Sequence, residues 1–97
     1  MRFAALFLGN LTPAELDAAL TRAHFNYLAQ HADRITMAGG LRPSEGGGFC
    51  GSLWVIEAEN EVVALRLMDE DPYCLAGLRP NKMLYRWGVA PKILATD

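Results

Sequence analysis

From Phe3 to Leu8 every position is apolar. A strand alternates its side chains, so Phe3, Ala5 and Phe7 share one face and Ala4, Leu6 and Leu8 the other. Gly9-Asn10 then signals a turn. Thr12 offers an N-cap, Pro13 a first helical position and Glu15 the acidic end of a capping box. Leu16, Ala19, Leu20, Ala23, Tyr27 and Leu28 recur at offsets of three and four. That spacing predicts a helix from Pro13 to about His31 with one buried stripe.

Ile35 to Leu41 reads as a second strand, flattened at its end by Gly39 and Gly40. Arg42 to Gly51 is a loop carrying Pro43 and Gly46-Gly47-Gly48. Ser52 to Ala58 is a third strand, again apolar on both faces, with Leu53 and Val55 opposed to Trp54 and Ile56. Asn60 can cap a second helix whose apolar side is Val62, Val63, Leu65, Leu67 and Met68. Asp71-Pro72-Tyr73 opens a further short helical turn, which Gly77 and Pro80 end. Lys82 to Val89 is a fourth strand.

The predicted order is β-α-β-β-α-β. It corresponds to an α+β, ferredoxin-like arrangement, with helices on one face of a four-stranded antiparallel sheet. A half-exposed sheet should alternate apolar and polar residues, and the first and third strands do not. Two substantial helices cover one face only. A second copy packed sheet to sheet is the expected cover for the other, since burial contributes about 25 cal/mol per Å². A homodimer is therefore expected. The alternative cover is the segment Pro91 to Asp97.

Composition narrows the function classes. The chain has 97 residues, enough for one domain, expected over residues 1–97. Hydrophobic residues make up 52% and charged residues 21%, a globular balance. Nine Lys and Arg stand against eleven Asp and Glu, for a formal net charge of -2. Without a basic excess, nucleic acid is not an expected partner. Apolar runs are too short to span a membrane, and the first strand is short for a signal peptide with no A-x-A-like site after it, so a cytoplasmic location is expected. Cys50 and Cys74 lack a C-x-x-C spacing and suggest neither a disulfide scaffold nor a zinc site; small buried residues are their default reading. No metal or other cofactor is expected.

His24 stands out as candidate chemistry. It lies between Leu20 and Leu28 on the apolar stripe, where a histidine can move a proton near neutral pH or simply satisfy a core carbonyl. Asp71 before Pro72 can be an N-cap, or a carboxylate that orients His24 as in hydrolytic triads. His31 lies about 10 Å further along the helix, too far to share a metal with His24, and suits a helix C-terminus. The triple glycine lacks the Lys-Ser/Thr of a phosphate loop and reads as a flexible connection or a lid. Ser52 can contact a ligand or finish a turn; no G-x-S-x-G surrounds it, so it is not expected as a nucleophile. Tyr73, Arg86 and Trp87 can line a pocket or serve as packing and surface.

Ala23-His24-Phe25-x-Tyr27-Leu28, Ala38-Gly39, Gly51-Ser52 and Asp71-Pro72-Tyr73-x-x-Ala76-Gly77 occur in that order. Together they resemble the YCII-related (YciI-like) family over most of the chain, from Leu16 to Trp87. The resemblance implies a ferredoxin-like fold, a dimeric α+β barrel and a histidine–aspartate pair in a pocket, matching His24 and Asp71 here. It implies a small cofactor-free enzyme; one branch of the family is associated with dehydrochlorination of chlorinated hydroxyquinols. The family often has arginine three residues before the helix histidine, where this chain has Thr21. Arg22 beside it lies about 100° further round the helix. Gly40 stands where proline commonly follows Ala-Gly, and Arg86-Trp87 replaces a Pro-aromatic pair.

The leading expectation is therefore general acid–base chemistry, of elimination or hydrolytic type, on a small aromatic or anionic molecule. His24 and Asp71 would be catalytic, with Ser52, Tyr73 and Arg22 as substrate contacts. The alternative is a non-catalytic dimeric module that binds a small molecule or a partner domain. A third reading is a purely structural dimer with His24 and Asp71 shielded and no adjoining cavity.

Overall fold

The computed structural model describes residues 1–9, 11 and 17–90. It is an α+β, ferredoxin-like fold. In chain order the elements are β1 (Arg2–Leu8), α1 (Ala18–Gln30), β2 (Ile35–Leu41), β3 (Gly51–Glu57), α2 (Glu61–Asp69), α3 (Pro72–Leu75) and β4 (Lys82–Arg86). The strands form one antiparallel sheet in the order β2-β3-β1-β4. The expected turn at Asn10, the capping box at Thr12, Pro13 and Glu15, and the cover from Pro91 to Asp97 fall outside the described residues.

The strand alternation sets the core. Register pairs Phe3 with Ile56, Ala5 with Trp54 and Phe7 with Ser52 on the helix-covered face. Phe3, Ala5, Phe7, Trp54 and Ile56 are buried there, with Ile35 from β2 and Ala64, Leu67 and Met68 from α2. The rings of Phe7 and Trp54 meet at a centroid distance of 4.6 Å in a tilted arrangement that adds about 0.5–1.5 kcal/mol beyond area burial.

Both helices depart from expectation in an instructive way. Asp17, in extended backbone, caps α1 by accepting the Ala19 N–H, so the helix carrying His24 starts at Ala18. None of its residues is fully buried; Ala19 and Ala23 are exposed, and Tyr27 and Leu28 only lean on the core. Asn60 caps α2 as expected, its side chain accepting the Val63 N–H. The buried side of α2 is Ala64, Leu67 and Met68, an i, i+3, i+4 stripe, which leaves Val62 and Leu65 exposed on the other side. β4 ends at Arg86, short of the expected Val89.

The second sheet face carries Ala4, Leu6 and Leu8 from β1, Leu53 and Val55 from β3, Met37 from β2 and Met83 and Tyr85 from β4, by the same register. No helix covers it. Met37 is 70% exposed and Tyr85 53%. Among the described residues, no helix is long and apolar enough to cross a membrane.

Candidate functional site

Because α1 stands off the sheet, space remains between it and the β2–β3 half. That space is a cavity of about 330 Å³, in the range of small-molecule sites of about 300–1,000 Å³. Thr21, His24, Phe25 and Leu28 of α1 form one wall. Ala38, Gly40, Ser52 and Trp54, on the helix-covered face of β2 and β3, form another, and Tyr73 of α3 and Arg79 complete it. The lining is mostly apolar, with a few polar groups converging on it.

His24 belongs to this wall and meets Asp71, which is buried behind it. The Nδ1 of His24 lies 2.5 Å from Oδ1 of Asp71. To an ionised carboxylate Nδ1–H donates, and in a neutral imidazole so placed the lone pair is on Nε2. Asp71 is only 1% exposed, and His24's side chain 12%. Asp71 occupies the N-cap position of α3, as expected from Pro72, yet its side chain makes no capping bond. The carboxylate is turned to the histidine instead. The ring of His24 stacks on Tyr73 at 4.2 Å between centroids and 19° between planes. Tyr73 is held in turn by donating its hydroxyl to Oγ1 of Thr21, 3.1 Å away. A hydrogen bond behind the imidazole and an aromatic ring against it leave the histidine little freedom.

Other expected contacts divide. Ser52 and Tyr73 line the cavity; Arg22 does not. Arg22 is exposed, because the step of about 100° from Thr21 carries it round the helix away from the sheet. Arg86 and Trp87 also lie outside the lining. His31 is the C-cap of α1, its ring tilted against Tyr27 at 4.4 Å. Cys50 is exposed, contrary to the buried default, because it sits at the end of the β2–β3 loop and not within a strand. Cys74 is half-buried, and burial, with the Asp71 charge adding to it, pushes its thiol up to about 11. The glycine loop ends at Phe49, whose ring lines the cavity, lies against Gly40 and carries the Arg42 guanidinium 4.1 Å above it.

Arg79 is the functional candidate that sequence reasoning missed. Its Nη2 donates to Oγ of Ser52 at 3.1 Å, and its guanidinium sits 5.6 Å from the Phe7 ring and 5.5 Å from the Tyr73 ring. The available signal was faint: a lone cation framed by Gly77 and Pro80 directly after the Asp71–Gly77 motif.

Comparison with known proteins gives a family and a fold. The YCII-related domain matches residues 1–87. A solved structure of 5-chloro-2-hydroxyhydroquinone dehydrochlorinase from Burkholderia phenoliruptrix, in complex with 2,5-dihydroxybenzoquinone, superposes with a TM-score of 0.77. That chain is 22% identical, and the alignment covers 93% of this chain and 96% of the other. No curated protein matches significantly.

Proposed function

The chain belongs to the YCII-related domain family, and from that premise we propose that it is a small-molecule enzyme using His24 as general base and acid and Asp71 as its orienter. The observation that carries this reading is the buried Nδ1–Oδ1 hydrogen bond at the wall of an apolar cavity. With Nδ1 committed to Asp71, Nε2 is the atom that accepts the substrate's proton. Asp71 holds the ring's tautomer and orientation and balances the imidazolium that forms. In an elimination, the electron pair of the broken C–H or O–H bond moves into the carbon skeleton, and the leaving group departs with its own pair. The proton on Nε2 then passes to that group or to water. A dehydrochlorinase of similar fold supports an elimination of this type on a small ring compound. Ser52 and Tyr73 serve as polar contacts to the ligand.

The reading includes a homodimer, sheet to sheet. The open apolar face formed by Leu6, Met37, Leu53, Val55, Met83 and Tyr85 supports it, and so does the absence of a covering helix among the described residues. A cytoplasmic location belongs to the same proposal.

Asp71→Asn tests the mechanism. The amide donates to Nδ1 and so selects the wrong tautomer. Turnover of small hydroxyquinone and hydroxyaryl halide substrates should fall on the order of 10²–10⁴-fold, the usual worth of positioned acid–base catalysis, with the fold intact by circular dichroism. Unchanged turnover in Asp71→Asn rejects the pair as catalytic. Ligands that stabilise the wild type without being converted would identify a binding module instead.

A further inference from the structure

Within that cavity the cation is Arg79, and its environment is built. Gly77 has φ +76° and turns the chain after α3, and Leu78 N–H returns to the Tyr73 carbonyl at 3.0 Å. Pro80 then restricts the backbone of the residue before it to extended conformations. Arg79 is thereby anchored from both sides. Its guanidinium lies near the Phe7 and Tyr73 rings, where a flat cation is attracted to aromatic faces. Ser52 Oγ takes one of its five N–H donors. Among the described residues no carboxylate pairs with Arg79. A half-buried guanidinium beside apolar walls, with donors to spare, calls for an anion.

We propose that Arg79, steadied by Ser52, is the specificity-determining residue of the cavity and recognises an oxyanion on the ligand: a carboxylate, or an acidic phenolic or enolic oxygen on a small ring. The inference rests on the functional reading of the same cavity and deepens it by naming the ligand class. Tyr73 touches both the His24 ring and the Arg79 guanidinium, so one single-ring ligand reaches both. Its charged oxygen sits at Arg79 and its reacting carbon or hydroxyl at His24. When His24 takes the proton, the freed pair moves into the carbon skeleton and the leaving group departs, while Arg79 holds the ligand's charged oxygen in place.

The probes are benzoate and benzamide, equal in shape and different in charge. Each is titrated into the full chain while the Trp54 indole N–H, the Ser52 amide and the Arg79 Nε–H are followed by nitrogen-15 NMR. Benzoate is expected to bind at least about tenfold more tightly than benzamide, moving all three signals. Arg79→Met should bring the two ligands to near parity, and Arg79→Lys, which keeps the charge and loses the fork, should retain part of the preference. Equal binding by the wild type, a preference that survives Arg79→Met, or no benzoate bound at millimolar concentration each overturns the assignment. Because the readout is equilibrium binding, it is independent of turnover. Failure of the acid–base reading appears in Asp71→Asn kinetics, and failure of the anion site appears here.

Discussion

Tyr27 shows how a single hydroxyl ties the cavity-bearing helix to its neighbour. Its OH donates to the Leu67 carbonyl at 2.8 Å, and burial, with the nearby Glu70 and Asp71 charges adding to it, pushes the phenol up to about 12. The Cys74 thiol is raised for the same leading reason, to about 11. For both groups the folded state favours the protonated form. Their stabilisation is complete below the ordinary values of 9.0 and 10.0 and is lost as pH rises through the folded values. Urea denaturation should therefore show stability falling between about pH 9 and pH 12. Tyr27→Phe should flatten the upper part of that decline and cost about 1 kcal/mol at neutral pH. At this level the residues gave candidates, and the family resemblance, not their spacing, paired His24 with Asp71. His24 and Asp71 were legible as a histidine on an apolar stripe and an acid before a proline. Their contact spans a sequence separation of 47, and no local spacing encodes it. Arg79 went unseen because its meaning comes chiefly from Ser52 and Phe7, both distant in the chain.

Two glycines in the cavity lining separate rigid from yielding walls. A Cβ on Gly51 would lie 2.4 Å from the Phe7 carbonyl oxygen, within the β1–β3 pairing, where backbone has nowhere to go. Gly51→Ala should cost about 1–3 kcal/mol in urea denaturation. A Cβ on Gly40 would meet the Phe49 ring at 2.5 Å, but that side chain is 52% exposed and can swing away. Gly40→Ala should stay within about 1 kcal/mol of the wild type. A smaller loss at Gly51 than at Gly40 would reverse the ranking of the two walls. The first and third strands were readable as short apolar runs, and the Asn60 cap from residue type. The buried side of α2 was read in part: Leu67 and Met68 are buried, while Val62 and Leu65 are exposed and Ala64 takes their place, because apolar residues surround that helix and only packing picks the stripe.

The open sheet face is apolar and no helix among the described residues covers it. An apolar patch of this kind on a small chain is a site for association. In the proposed dimer, Met37 and Leu53 lie where a partner sheet would pack. Sedimentation at micromolar concentration should give a dimer for the wild type. Met37→Glu with Leu53→Glu should shift it to monomer, since a buried unpaired carboxylate is costly at an interface. A monomeric wild type would remove the sheet-to-sheet reading and leave the His24 cavity, which one chain lines by itself, unaffected.

Local chemistry was enough to set the element order, the two faces of β1 and β3, the start of α2 and the short turn after Asp71. These depend on alternation, capping and proline geometry, which act over a few neighbouring residues. Packing alone decided that α1 stands away from the sheet, that Asp71 turns from its helix to His24, and that Arg79 reaches Ser52. Each of those outcomes balances burial, charge and space among segments far apart in the chain, and that balance exists only once the sheet and helices have met.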